Sequence, residues 1–260
     1  PFSFRMSPFE DIEEDLKEAG ARSRLWEGRR VSRTFLTGAN PFALKTERLL
    51  AIAALIRKYF PENQTIGCFA RITDVARKTD DELSALRLAG YDGLTIGIET
   101  GDDEALEFMH KGYRAEEILS ACKRLDQVDM YYNFFYLVGI SGAGKGERGA
   151  VATARICNQL HPKIIGANML TIYPNSELYK EIQKGNWHEE AELEKYQEMR
   201  ALVEHLDIST WFGAMGASNP IAIQGTLPRD KEKILSVLDG IITGVSEEEL
   251  RSYRKNLRHL

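Results

Sequence analysis

Cysteine is scarce in this sequence: its 260 residues include only three, Cys68, Cys122 and Cys157. They lie far apart and are odd in number, so a disulfide framework is not expected and a reducing compartment is favoured. No two of them stand at the spacing of metal ligands, and each is expected to be a small buried side chain. We therefore assign no metal ligand within this chain.

Long apolar runs and an excess of positive charge are also missing. No stretch of 18 or more apolar residues is present, so no membrane span is predicted. No signal peptide is visible, and we expect a cytoplasmic protein. The net charge of −5 argues against a basic surface, so nucleic acid is not expected as a direct partner. The five histidines form no close ligand pair, which argues against a zinc site.

What the sequence does have is a regular alternation of strand and helix patterns. Apolar, strand-like runs lie at 31–37, 65–72, 93–99, 130–138 and 164–173, with helical patterns between them. Continuous apolar runs are typical of strands buried on both faces of a parallel sheet. Repeated strand–helix units form either an open doubly wound sheet or a barrel, and the spacing leaves both possible. In both folds, ligands bind at the carboxyl edge of the strands.

The pattern changes after Tyr179. Helices are predicted at 189–206, 230–242 and 246–257, and the stretch 219–228 is predicted to be irregular with a short extended run. We interpret residues 183–260 as a helical C-terminal extension rather than an independent domain.

Small and polar residues follow the predicted strands. Glycine lets a ligand approach the backbone, and polar side chains can hydrogen-bond to it. Turns after strands are rich in Gly, Pro and Asn in any fold, so one turn alone is weak evidence. Glu99 is more informative, because it ends an otherwise apolar strand where a carboxylate needs partners. The candidates at strand ends are Gly38, Ala39, Asn40, Arg71, Glu99 and Tyr173.

The segment from Gly139 to Gly146 nearly matches the phosphate-binding loop G-x-x-x-x-G-K-[ST]. The position that should supply the Mg²⁺-binding hydroxyl is Gly146, and the next hydroxyl, that of Thr153, lies too far along. We therefore expect a flexible glycine-rich turn that binds no nucleotide.

The stretch from Ala89 to Gly112, AGYDGLTIGIETGDDEALEFMHKG, resembles a strand and turn of the radical S-adenosylmethionine (SAM) superfamily. The likeness is to the group that includes coproporphyrinogen oxidase-like members, and it covers about residues 4–182. It implies a partial (β/α)6 TIM-like barrel of parallel strands, with residues 1–182 as its core and a helical C-terminal extension. Strands two to six of the family's six would be present in this chain.

The resemblance also implies roles for individual residues. The turn Gly38–Asn40 would hold the methionine end of SAM. Arg71, Glu99 and Lys111 would fix its ribose and carboxylate, and the segment ending at Tyr173 would lie near the adenine.

The chain departs from the family in one large respect. The signature Cys-x3-Cys-x2-Cys, which holds a [4Fe–4S] cluster, is absent, and the resemblance places those ligands upstream of Pro1. The implied reaction is reductive cleavage of SAM to a 5′-deoxyadenosyl radical, which abstracts hydrogen from a small-molecule substrate. The implied partners are that substrate, of open identity, and an electron donor such as flavodoxin or ferredoxin.

Two other classes of protein remain open. A cluster-independent barrel enzyme of lyase or aldolase type would rely on Lys111 and Glu99. A non-catalytic scaffold remnant would need neither residue. Three upstream cysteines in the family spacing would favour the radical SAM interpretation, and their absence would favour the other two.

Overall fold

A seven-stranded sheet forms the centre of the molecule in a computed structural model, which describes residues 6–24 and 30–256. The strands lie side by side in chain order, and six are parallel while the last runs antiparallel to its neighbour. They are β1 (Arg33–Leu36), β2 (Thr65–Arg71), β3 (Tyr91–Glu99), β4 (Tyr132–Val138), β5 (Ile164–Met169), β6 (Thr210–Ala214) and β7 (Ile223–Leu227).

Helices precede, connect and follow these strands. They are α1 (Phe9–Arg24), α2 (Thr46–Tyr59), α3 (Ile72–Arg77), α4 (Asp80–Leu88), α5 (Asp103–Phe108), α6 (Ala115–Gln127), α7 (Gly146–Cys157), α8 (Glu177–Gln183), α9 (Glu192–His205), α10 (Lys231–Gly244) and α11 (Glu247–Lys255). Every connection between two parallel strands contains at least one helix, because parallel neighbours require a long crossover.

The predicted parallel sheet in chain order is confirmed. Strands β1 to β5 pair in parallel without any reversal of order. A doubly wound sheet would contain such a reversal, so that alternative is wrong. In the described part of the chain no pairing joins β7 to β1, and the sheet is therefore an open, partial barrel.

Alternate residues of each strand face different surroundings. On β3, Leu94, Ile96 and Ile98 are fully buried and share one apolar core with residues of the surrounding helices. The opposite side of the sheet carries two rows of paired residues, which we call the inner face. The first row is Phe69, Thr95, Asn133, Ile164, Trp211 and Thr226, and the second is Arg71, Gly97, Phe135, Gly166, Gly213 and Gln224.

The C-terminal part is not purely helical, and this corrects the prediction. β6 and β7 lie beyond residue 182 and continue the same sheet, so the irregular assignment is wrong over Ile223–Leu227. Both strands have five residues and contain a glycine, which weakens the periodic signal on which a strand prediction depends. The division of the chain at residue 182 stays a prediction.

The helices differ from the predicted helices in smaller ways. The first helix, α1, continues through Gly20, where a Cβ would touch Tyr59 at ordinary contact distance. The short helix α3 directly after β2 was not predicted. Within the described ranges, no helix is both long and apolar enough to cross a bilayer.

Candidate active site at the carboxyl edge

The predicted site residues follow the ends of neighbouring strands. Asn40 comes shortly after β1, Arg71 ends β2, and Glu99 ends β3. Because the strands are parallel, these ends share one edge of the sheet, where ligands bind in folds of this kind.

Asn40 and Arg71 meet at the carboxylate of Asp74, a buried residue in the first turn of α3. The side-chain amide of Asn40 donates to Asp74 Oδ2 at 2.6 Å, and the backbone N–H of Arg71 donates to the same oxygen at 3.2 Å. Asn40 Oδ1 is buried and has no hydrogen-bond partner in the described part of the chain. A buried acceptor without a donor is uncommon in proteins, so this oxygen is available to a donor group on a ligand.

Glu99 and Lys111 form an ion pair at the end of β3. Lys111 Nζ lies 3.1 Å from Glu99 Oε1, and both side chains are partly exposed. Glu99 has a φ of +60°, and the register of β3 against β4 shifts between Gly97 and Glu99. A left-handed conformation is costly for a residue with a Cβ, and such strain is concentrated at functional sites. The irregular strand end therefore holds the carboxylate in a defined place.

Tyr113 connects these two parts of the edge. Its hydroxyl lies 3.2 Å from the carbonyl oxygens of both Gly97 and Ile98. Burial raises the pKa of Tyr113; the nearby carboxylate of Glu99 adds to the rise, and the guanidinium of Arg71 opposes it. Both charged groups therefore act on the same phenol, from the ends of adjacent strands.

The remaining candidates are less closely tied to this cluster. Gly38 has a φ of +109°, and a Cβ there would meet no atom within 4 Å. Ala39 is exposed. Tyr173 is 55% exposed, and its carbonyl oxygen accepts hydrogen bonds from Ser176 at the start of α8. The roles of all seven predicted residues toward SAM stay predictions.

Sequence reasoning did not include Asp74 or Tyr113 among the site residues. Asp74 carried a usable signal, because an acid three residues after a strand end can cap a helix that begins there. Tyr113 gave a weaker one: a buried tyrosine hydroxyl needs a partner, but the sequence does not say which.

The glycine-rich turn after β4 is held by carboxylates. Glu198 of α9 accepts a hydrogen bond from the Gly139 backbone N–H at 2.7 Å and another from the Tyr136 hydroxyl. A Cβ on Gly146 would collide with carboxylate oxygens of Glu190 and Glu198. These acidic groups at the start of α7 would repel a phosphate, which is consistent with the predicted lack of nucleotide binding. That lack stays a prediction.

The cysteines are separated and buried, as predicted. Cys68 lies in β2, while Cys122 and Cys157 lie in α6 and α7. Burial raises the pKa of Cys68 and of Cys157 to about 12, and it also raises the pKa of Cys122. Within the described residues, no three His, Cys, Asp or Glu side chains are grouped to hold a metal ion. These residues do not fit an iron–sulfur cluster, which needs about three thiolates at one point.

The fold has relatives among solved structures. The archaeal Methanocaldococcus infernus Elp3 with an N-terminal deletion aligns with a TM-score of 0.56 and 13% identity, over 78% of this chain and 52% of that one. The coproporphyrinogen III oxidase HemN from Escherichia coli, a radical SAM enzyme, aligns with a TM-score of 0.52 and 18% identity, over 64% and 37%. At such low identities the likeness concerns the fold alone.

Sequence comparison gives the family. The heme chaperone HemW of Bacillus subtilis (strain 168) is 22% identical over 175 residues, which are 65% of this chain and 45% of HemW. The chain thus spans less than half the length of this curated relative. The sequence profile of the radical SAM superfamily matches residues 3–152, which is more than half of the chain. This chain therefore belongs to the radical SAM superfamily.

Proposed function

We propose that this chain is the SAM-binding body of a radical SAM enzyme, and that the enzyme abstracts hydrogen from a small-molecule substrate. The superfamily binds SAM and a [4Fe–4S] cluster, and the ligands of that cluster would lie upstream of Pro1. The observation that carries the proposal is the buried Oδ1 of Asn40 beside Asp74, at the carboxyl edge of the sheet, which has no hydrogen-bond partner among the described residues. A substrate, and an electron donor such as flavodoxin or ferredoxin, would be the partners.

The methionine end of SAM fits the turn after β1. Its ammonium group can only donate hydrogen bonds, and Asn40 Oδ1 is an acceptor that receives none from the described part of the chain. The hydrogen bond from Asn40 to Asp74 fixes the orientation of the amide, so that Oδ1 is the free atom. Gly38 leaves open space beside this turn, because a Cβ there would contact nothing.

The ribose end fits Glu99. One oxygen of its carboxylate is bound by Lys111, and the other can accept from a ribose hydroxyl. The ammonium of Lys111 has further hydrogens with which to bind the carboxylate of SAM. When bound and reduced, SAM supplies a 5′-deoxyadenosyl radical, and the residues of this chain orient the ligand and exclude water. No residue of the described chain is assigned to the cluster.

The proposal is tested on a protein that extends upstream through the missing cysteine segment. After anaerobic reconstitution with iron and sulfide, it is expected to carry iron and, with dithionite and SAM, to release 5′-deoxyadenosine. The present chain is expected to do neither. If the extended protein carries no iron, the enzyme interpretation fails and the scaffold alternative takes its place.

A pair of variants tests the methionine-end assignment. In the extended protein, Asn40→Leu removes the free acceptor and is expected to weaken SAM binding by about 1–3 kcal/mol. Asn186→Leu is the matched control, because this exposed asparagine also donates from its side-chain amide to a carboxylate, that of Glu181, and it is expected to leave the affinity unchanged. Equal affinities of the two variants in isothermal titration would remove Asn40 from the site.

A further inference from the structure

Half of the inner face carries no charge. Strands β4 to β7 contain no Asp, Glu, Lys, Arg or His at all. Strands β1 to β3, in contrast, contribute Arg33, Arg71 and Glu99, the last of which is paired with Lys111. A charged group removed from water needs a counter-charge, and on β4 to β7 it would find none. This half of the face is therefore suited to an uncharged ligand.

A row of three glycines and one phenylalanine runs across the inner face from β3 to β6. Gly166 and Gly213 are direct neighbours in the second row of the inner face, and Gly97 lies in the same row on the other side of Phe135. With adjacent strands about 4.8 Å apart, the row from Gly97 to Gly213 is about 14 Å long and is interrupted only by Phe135. Because glycine has no side chain, this row forms a low floor against which neighbouring side chains can lie.

Two aromatic rings lie across this floor. A Cβ on Gly166 would stand 2.9 Å from Cδ1 and Cε1 of Phe135, and a Cβ on Gly213 would collide with the indole of Trp211. Each ring therefore leans onto the sheet and fills the space that a side chain would take. Phe135 is 39% exposed although its strand lies at the centre of the sheet. Exposed ring faces favour stacking with another planar ring.

Neutral hydrogen-bonding groups border the rings. Asn133 precedes Phe135 by two positions on β4, and Gln224 lies next to Gly213 on β7. Neither side-chain amide makes a hydrogen bond to the described part of the chain. An amide offers both a donor and an acceptor without charge, so these two can bind either kind of group at the edge of a ligand.

We infer that this half of the inner face binds the substrate through an uncharged, planar, unsaturated ring that carries hydrogen-bonding groups at its edge. The inference rests on the proposed function, because it assigns the methionine and ribose of SAM to the charged half, on β1 to β3, and the substrate to the inner face of the neutral half. A saturated ring could not stack on Phe135 and Trp211. An anionic or cationic ring would lie against neutral amides and glycine backbone, where it would find no counter-charge.

Three matched probes test the inference on the 260-residue chain: 2-naphthamide, the anionic 2-naphthoate and the saturated decahydro-2-naphthamide. Dissociation constants are measured by NMR titration. We expect 2-naphthamide to bind at least tenfold more tightly than either of the other two. If one of the comparison probes binds as tightly as 2-naphthamide, the inference is wrong.

Phe135→Leu keeps an apolar side chain but removes the ring face, and Phe108→Leu changes a phenylalanine of similar exposure on α5. The first variant is expected to weaken 2-naphthamide binding at least fivefold, and the second by less than twofold. Thermal unfolding checks that both variants are folded. Equal effects of the two substitutions would overturn the inference.

These measurements need no cluster, so they separate this inference from the proposed function. Release of 5′-deoxyadenosine by the extended protein, together with no preference for 2-naphthamide, would reject the substrate class alone. An extended protein without iron would reject the radical SAM activity, whatever the probes show.

Discussion

Glu190 and Glu198 place their carboxyl groups against the same residue, Gly146 at the start of α7. Glu198 is bound by Tyr136 and Gly139, whereas both oxygens of Glu190 lack a hydrogen-bond partner in the described chain, although Glu190 is only 2% exposed. Two buried carboxylates at such a site repel each other, so at least one proton is expected to stay on the pair.

This pair should make the stability of the protein depend on pH. Burial, together with the neighbouring charge of Glu198, raises the pKa of Glu190 well above its usual range. In the unfolded chain a glutamate has a pKa of about 4.3, so the unfolded state loses this proton first as the pH rises. The free energy of unfolding is therefore expected to fall as the pH rises above about 4.3, by at most about 1.4 kcal/mol per pH unit from this group.

Glu190→Gln should remove that dependence, because the amide cannot ionise. Urea unfolding at pH 5, 7 and 9 is expected to show a flatter profile for this variant than for the wild type. Glu204→Gln, at an exposed position near the end of α9, is the control and should keep the wild-type slope. Parallel profiles for wild type and Glu190→Gln would show that Glu190 ionises normally.

Gly146 is expected to tolerate no side chain. Gly146→Ala would force the new Cβ into the carboxylates of Glu190 and Glu198, and overpacking of this kind costs about 1–3 kcal/mol. Gly240→Ala is the matched control, since Gly240 also lies in a helix and a Cβ there meets nothing within 4 Å. That substitution should instead stabilise the protein by about 0.5–1 kcal/mol, because alanine favours the helix. Chemical denaturation measures the free energy of unfolding of both variants, and the two changes are expected to have opposite signs.

Glu99 is expected to matter for SAM. In the extended, cluster-bearing protein, Glu99→Ala should weaken SAM binding by about 1–3 kcal/mol, the cost of deleting a polar partner. Glu107→Ala removes an exposed glutamate from α5, where it pairs with Arg114, and should have no effect. Isothermal titration that finds the same SAM affinity for both variants would contradict the assignment of Glu99.

The three cysteines are expected to be unreactive while the protein is folded. Their burial and raised pKa values keep the thiols protonated, and the thiolate is the reactive form. A thiol-specific chromogenic disulfide at pH 8 should therefore label none of them in the native chain within minutes and all three in denaturant. Rapid labelling of the native protein would show an exposed thiolate and contradict this placement.

The order of the strands in the sheet could be predicted from the sequence, because the first five strands are long or apolar enough to be recognised as strands. β6 and β7 were missed, since five residues with one glycine give little periodicity and their pairing is set by contacts distant in sequence. Glu99 was identified because a carboxylate at the end of an apolar strand is conspicuous. Its left-handed φ could not be predicted from the sequence. The partners of Glu190 and Glu198 could not be foreseen, because the glycine-rich turn that they contact lies some fifty residues earlier in the chain.

The antiparallel direction of β7 determines where the chain travels afterwards. β7 ends at the side of the sheet away from the candidate site, and α10 begins there, with Lys231 bound to the carbonyl of Leu206. The chain then returns through α11, where Arg254 binds both Glu192 and the carbonyl of Leu170, just past β5. A fluorophore attached at the exposed neighbour Tyr253 would therefore sit beside the mouth of the barrel and could report on ligand entry without altering any strand.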